Sequence, residues 1–332
     1  MMNNLEKARK VKMDMKSKRI LYELDVNARR SYSQIGKKVG LSKDTVNNKI
    51  KKMESQGIIK GYYTVINVSK LGYLEFRVFV KLYRTTPKKE EEIINYLVNH
   101  PKVGWVGSVS GQWDINMGVW EKSVFKFREF WDEFMGKYGD FILTNWISII
   151  TNLIHYRKAF LVNAKRDTSE PELVGGEIEE KADKTDIKIL KILSKNARTP
   201  LLDIARKLNI SQKTIAYRIK KMIKEKIILS FRALLDLNLL GIQYYKVHFT
   251  LRHKDKKRYE KLLAYTKAHP NIIFTNYLNI GGADFEVETY VYSQEQFQDI
   301  VEDMKSKFAD LIIDAETLQY TKEYKWIYIP LR

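Results

Sequence analysis

The chain has 332 residues, 44% of them hydrophobic and 30% charged, which is the composition of an ordinary globular protein of several domains and not of a disordered one. It contains no cysteine, so disulfide scaffolds, thiolate metal sites and cysteine nucleophiles are excluded. No uncharged apolar run approaches the ~18 residues of a membrane span, and the basic stretch Glu6 to Lys12 lacks the apolar run of a signal peptide, so a cytoplasmic protein with no membrane partner is expected. The net charge of +19 is segregated: residues 1–62 hold 16 Lys/Arg against 6 Asp/Glu and residues 183–232 hold 14 against 4, while 63–182 and 233–332 are nearly neutral. Two separate concentrations of positive charge are the electrostatic footprint of a nucleic-acid binder.

Those two basic stretches are copies of each other. The run from Asp14, "DMKSKRILYELDVNARRSYSQIGKKVGLSKDTVNNKIKKMESQGIIKG", aligns without a gap on the run from Asp183, 169 positions later. Each copy opens with an amphipathic helix carrying Ile20, Leu21 and Leu24, or Ile187, Leu190 and Leu193. A loop through Asn-Ala-Arg follows, then a short helix (Tyr32 to Val39; Leu201 to Leu208), a tight turn (Gly40-Leu41-Ser42; Asn209-Ile210-Ser211) and a third helix (Lys43 to Ser55; Gln212 to Glu225). Ser42 and Ser211 stand where a hydroxyl caps the third helix, and Gly40 and Asn209 suit the left-handed backbone of the turn. The spacing predicts a winged or simple helix-turn-helix.

After each third helix the period changes to alternation, predicting strands over Ile58 to Val68 and Ile227 to Leu237. The remainder of copy one reads as strand (Phe76 to Tyr83), helix (Lys88 to Asn99), strand (Val103 to Ser108), strand (Trp113 to Trp120), helix (Ser123 to Lys137) and an interrupted strand (Ile142 to Val162). Copy two repeats this order from Tyr244 to Tyr328. A β-α-β-β-α-β order predicts a ferredoxin-like sheet backed by two helices, so the fold class is α+β. The expected domains are residues 1–62 and 183–232 (helix-turn-helix), 63–162 and 233–332 (ferredoxin-like), and an acidic linker, 163–182. With Pro171 and Gly175-Gly176 the linker reads as a flexible tether of up to ~65 Å, leaving the copies free in how they meet.

At this point the residues resemble a family, the Lrp/AsnC or feast/famine transcriptional regulators. Asp183 to Met222 resembles that family's helix-turn-helix from end to end, Asp14 to Met53 more loosely, and each following unit is similar to its RAM domain. The family's Gly-x-x-Asp turn appears as Gly111-Gln112-Trp113-Asp114 and Gly281-Gly282-Ala283-Asp284. The resemblance implies double-stranded DNA as partner, homo-oligomers built through RAM domains, and a small amino-acid-type effector at that turn, which makes Gly111, Asp114, Gly281 and Asp284 effector candidates. Two units in one chain depart from the family's usual single unit.

On the third helices Val46, Ile50 and Met53, like Ile215, Ile219 and Met222, form the core stripe. The opposite faces supply the DNA-binding candidates Ser42, Lys43, Thr45, Asn47, Asn48, Lys51 and Lys52, and Ser211, Lys213, Thr214, Tyr217, Lys220 and Lys221. The lysines are expected on phosphates, and Asn47, Asn48 and Tyr217 at base edges. Asp44 opposes phosphate contact, and since the two faces differ an asymmetric site is expected. No catalytic residue, metal site or cofactor is expected: the five histidines show no metal-binding spacing. Two alternatives share these features. One is a siroheme decarboxylase-like enzyme, a class that resembles Lrp/AsnC proteins, using "LRHKDKKR" (Leu251 to Arg258) on tetrapyrrole carboxylates. The other is an architectural protein that binds DNA without sequence preference.

Overall fold

Each repeat begins with three helices whose ends are set by local chemistry. A computed structural model of the chain describes residues 11–163, 172–252, 255–327 and 329. In copy one, α1 (Met15–Asn27) starts at Asp14, whose carboxylate accepts the Ser17 N–H, and α2 (Tyr32–Val39) starts at Ser31 in a capping box with Gln34. Gly40, at φ 67°, ends α2 in the left-handed region, and α3 (Lys43–Ser55) follows at once. The strand β1 (Ile59–Ile66) leads out of the module.

A second layer follows: β2 (Leu74–Leu82), α4 (Pro87–Asn99), β3 (Val103–Ser110), β4 (Ile115–Glu121), α5 (Val124–Tyr138) and β5 (Ile142–Ile150). The interruption expected in the last strand separates β5 from β6 (Asn152–His155), and a short β7 (Glu172–Gly175) comes next. Copy two supplies α6 (Lys184–Lys195), α7 (Leu201–Leu208), α8 (Gln212–Lys224), β8 (Ile228–Leu235), β9 (Gln243–Leu251), α9 (Lys256–Ala268), β10 (Ile272–Tyr277), β11 (Phe285–Val291), α10 (Gln294–Lys307) and β12 (Ile312–Trp326).

The sheet order is β5-β2-β4-β3 in copy one and β12-β9-β11-β10 in copy two, the same ferredoxin-like order twice. Antiparallel pairing of β3 with β12 (Val109 opposite Tyr320) joins them into one sheet, extended at the far edge by β6 and β7. Alternation along the strands builds two outer cores: Phe76, Val78 and Val80 pack with Ile93, Phe130 and Phe134, and Tyr245, Val247 and Phe249 pack with Leu262, Phe297 and Met304. The other faces meet each other, since the Phe79 ring on β2 lies 5.1 Å from that of His248 on β9. An isolated bridge between Ile149 and Ile280 ties the opposite edges together.

The linker differs from the loose tether that its composition suggests. Residues 164–171 lie outside the described residues, but from Glu172 onward the chain is held in place. Strand β7 pairs with β6, and Gly175 exchanges hydrogen bonds with the Asn67 side chain at 3.0 and 3.1 Å. At Gly175 (φ 117°) a Cβ would stand 2.0 Å from the Thr151 carbonyl oxygen, so only glycine fits. Composition shows Gly and Glu as loop formers; it does not show that a sheet edge and an asparagine await them.

The copies also meet through their DNA-binding modules. Strands β1 and β8 form a separate antiparallel ribbon, Tyr63 opposite Arg232. Each first helix docks on the ribbon strand of the other copy: the Ala28 N–H donates to the Phe231 carbonyl at 2.8 Å, and the Ala197 N–H donates to the Tyr62 carbonyl at 2.9 Å. One chain is therefore internally paired about a pseudo-twofold arrangement.

Candidate nucleic-acid interface

The two third helices are capped alike. Ser42 accepts the Thr45 N–H and Ser211 accepts the Thr214 N–H, both at 3.1 Å, and each pair of hydroxyls also meets at 2.8 Å. Asn209, at φ 53°, takes the left-handed role of Gly40. Ser211→Ala is expected to cost about 1 kcal/mol, read as an earlier urea unfolding midpoint; no change would show that the cap contributes nothing.

The core stripe is buried in both copies, with Val46, Ile50, Met53, Ile215, Ile219 and Met222 all below 9% exposure. On the outward face Ser42, Lys43, Asn48, Lys51, Lys52, Ser211, Lys213 and Lys220 are exposed, while Thr45, Asn47, Thr214 and Lys221 are half-buried. Tyr217 is 67% exposed, an unusual position for a large ring. Lys221 lies 3.9 Å from Glu225 and is thus partly committed within its own helix. Among the described residues, both outward faces thus carry exposed side chains from the helix start to the lysine pair.

Residues that spacing did not single out set the placement of these helices. Lys49 donates to Asp14 (2.7 Å) and Ser17 (3.1 Å), bolting α3 to the start of α1; Arg218 does the same to Asp183 (2.7 Å) and Asp186 (2.9 Å). The Arg218 bond holds Asp183 below the usual carboxylate range, and Lys49 pulls Asp14 down to about 2. The repeated Asn-Ala-Arg motif is a clamp between copies. Arg29 donates to the carbonyls of Ala197 (2.6 Å) and Thr199 (2.9 Å), and Arg198 donates to that of Ala28 (2.8 Å). The identity of these residues in both copies was the available signal.

A buried ion cluster fixes one side of the frame. Asp25 on α1 accepts from Lys158 Nζ (2.6 Å) and the Lys158 N–H (2.8 Å), with Arg232 at 3.7 Å. Arg232 and Arg157 in turn reach Glu172 at 2.7 and 2.5 Å. Burial pushes the Asp25 carboxyl up, but Lys158, Arg232 and Arg157 more than offset that and leave it well below the usual range. The counterpart of Asp25 in copy two is Ser194 and that of Arg232 in copy one is Tyr63, so this bolt exists once.

The effector candidates have structural partners. Asp114 accepts the Leu82 N–H (2.8 Å) and Lys81 Nζ (2.9 Å), and Asp284 accepts the Leu251 N–H (2.9 Å). Their glycines lie against the other copy: a Cβ on Gly111 would meet the Thr317 carbonyl at 3.3 Å, and one on Gly281 the Ile147 carbonyl at 3.0 Å. Of the alternative basic segment, His253 lies outside the described residues and Arg258 is paired with Asp310. Among the described residues no cluster of three or more His, Asp or Glu is arranged to hold a metal, and no helix is long and apolar enough to cross a membrane.

Paired helix-turn-helix modules with outward basic helices, mounted on sheet domains, define a class of DNA-binding regulator. The sequence profile for winged helix-turn-helix DNA-binding domains matches residues 13–60 and 183–228. An HTH-type transcriptional regulator of Pyrococcus furiosus is 36% identical over 125 residues, which are 38% of this chain and 83% of that protein; the regulator LrpA of Pyrococcus horikoshii is 34% identical over 110 residues, 33% and 77%. The chain belongs to the Lrp/AsnC family of helix-turn-helix transcriptional regulators, with the unit of such relatives present twice. Its whole length also superposes on the siroheme decarboxylase NirDL with a TM-score of 0.59, covering 95% of this chain and 94% of that one; at 12% identity the likeness is one of fold.

Proposed function

We propose that this chain is a cytoplasmic transcriptional regulator that grips double-stranded DNA with both modules at once, a single-chain counterpart of a regulator dimer. The observation that carries the reading is the reciprocal clamp of Arg29 and Arg198 with the β1–β8 ribbon, which sets two unobstructed basic helices at one fixed separation. Lys43, Lys51, Lys52, Lys213, Lys220 and Lys221 neutralise phosphates, Ser42, Ser211, Thr45 and Thr214 shape the helix starts beside the backbone, and Asn47, Asn48 and Tyr217 face bases. Because Tyr217 stands where copy one has Asn48, the halves of the site differ in sequence. Residues 1–62 and 183–232 bind, and 63–162 and 233–332 hold them in place. Further association of chains uses the outer faces of these sheet domains. An amino-acid-type effector at Gly111, Asp114, Gly281 and Asp284 has less support, because both carboxylates already accept a main-chain N–H.

The whole-chain likeness to a siroheme decarboxylase favours a second reading, enzymatic use of the same fold. Opposing it, the charged and titratable side chains lining the crevice between the facing halves of the sheet include Glu75 and Glu288 beside Arg77 and His155, a poor match for a tetrapyrrole bearing many carboxylates. Selection of bound fragments from random DNA at low and moderate salt, with an absorption spectrum of the purified protein, separates the readings. A defined asymmetric motif is the expected result. Salt-sensitive binding without a motif selects an architectural protein, and a Soret band without DNA binding selects the enzyme.

A further inference from the structure

Between the facing halves of the sheet, where β12 runs beyond β9, lies a crevice enclosing about 410 Å³ of empty space, part of it open to solvent. Its walls include Trp105, Trp120, Tyr244, Phe274 and Trp326, and its acidic groups are Glu75 and Glu288. Faces pressed between two sheets ordinarily interdigitate apolar side chains. Here β2, β9 and β11 instead bring Glu75, Arg77, Lys246, Glu286 and Glu288 inside, each less than a tenth exposed.

The ion pairs within this layer do not balance. Arg77 Nη2 meets Glu75 at 2.9 Å, and Lys246 Nζ sits between Glu286 (2.5 Å) and Glu288 (3.2 Å), with the Tyr244 hydroxyl also donating to Glu288. Among the described residues, three carboxylates thus share two cations at ion-pair distance. A fourth, Glu323, accepts from Trp105 Nε1 at 3.0 Å; burial first, and then Glu288 nearby, push it up to about 7 against that bond and against the Lys60 and Lys158 charges. A buried anion lacking its full complement of positive charge is costly, and the walls suit a cation, since the Arg77 guanidinium already lies 5.1 Å over the Trp105 ring.

We propose that this crevice binds a small organic cation, a primary alkylamine or a guanidine, with its charged head at Glu288 and Glu75 and its stem along Trp120 and Trp326. A hard divalent cation would want six or more oxygen ligands, which two carboxylates among indole rings do not supply. An anion would meet the Glu75 and Glu288 carboxylates on the wall. Trp326 also packs against Tyr63 of β1 (5.8 Å between ring centroids), so the crevice wall touches the ribbon that carries both DNA-binding modules. The inference rests on the crevice alone and stands or falls separately from DNA recognition.

The test uses the full chain without DNA, titrated with ethylammonium and guanidinium chloride at constant ionic strength while tryptophan emission is followed. A saturable change with a dissociation constant of about 1 mM or tighter is expected, absent with sodium chloride and with urea, the neutral isostere of guanidinium. Glu288→Gln is expected to weaken cation binding at least about tenfold by calorimetry while thermal unfolding stays cooperative. If that variant does not fold, Trp120→Leu, which removes a ring face but keeps apolar bulk, is expected to weaken guanidinium severalfold. Equal responses to urea and guanidinium, no response to either cation, or unchanged affinity in the folded variant overturn the proposal. Glycine binding more tightly than ethylammonium also overturns it, in favour of a zwitterion whose carboxylate takes the Arg77 Nε–H, which has no hydrogen-bond partner among the described residues.

Discussion

Raising sodium chloride from about 50 to about 200 mM is expected to weaken duplex binding about a thousandfold or more, given contacts to some 6 to 10 phosphates shared by the two modules. The charge that drives this is local: each module carries ten more cations than anions in sequence, and the sheet domains are close to neutral. Because β1 and β8 bind the modules together, both sets of lysines are expected to meet one duplex, with additive counterion release. Replacing Lys51, Lys52, Lys220 and Lys221 together with alanine should lower affinity for all sequences alike and flatten the log–log salt slope by about 3 to 4 units. Lys221, near Glu225, is expected to give the smallest single effect of the four. A salt response that is flat in the unaltered chain, or a slope unchanged in the fourfold variant, would place the DNA contacts elsewhere.

Asp25→Asn should destabilise the chain by about 3–5 kcal/mol, the usual cost of removing one partner from a buried ion cluster, read as a lower urea midpoint. The loss falls on Lys158, 5% exposed, which would lose its carboxylate partner. The pH dependence follows from the depressed Asp25 carboxyl. A carboxylate whose folded value lies below its unfolded value of about 3.9 contributes fully above that value and loses its contribution as pH falls toward the folded one. The stability gap between the parent chain and Asp25→Asn should therefore be constant from about pH 8 to 5 and close below about pH 4. A gap that widens in acid would refute the assignment. Ser194→Ala at the corresponding site of copy two should change little by comparison.

Much of the architecture was legible because the periods were clean. The helical stripes Ile20-Leu21-Leu24 and Ile215-Ile219-Met222 are buried as the spacing requires, and Ser42, Ser211, Gly40 and Asn209 occupy the cap and turn positions that their chemistry suits. The β-α-β-β-α-β order was readable twice, although which strand of one copy would pair with which of the other was not. Pairing partners such as Tyr63 and Arg232 are set by tertiary packing, and no local period encodes them. The polar faces misled in another way. Glu75 and Arg77 on β2, or Lys246 and His248 on β9, alternate with apolar residues as a half-solvated antiparallel strand would, yet the two copies' halves of the sheet face each other and cover them. Of the site, the exposed lysines, Asn48 and Tyr217 were readable as a helix face. The bolts through Lys49 and Arg218 were not, because ion pairs spanning 35 residues leave no mark in spacing. Asp25 was hidden as one of two acidic residues on a helix with three cations; comparison with Ser194 was the hint that the copies had diverged there.

Joining the two reading heads covalently removes the subunit equilibrium that an ordinary dimeric regulator must satisfy before it can occupy its operator. Occupancy should then follow chain concentration to the first power even at a few copies per cell, with no dilution threshold at which the protein falls apart into inactive halves. It also frees inheritance: with Tyr217 at the bases as proposed, a substitution there would alter one half-site alone, whereas in a homodimer the same change would strike both at once, so each half of the recognised sequence could evolve on its own schedule.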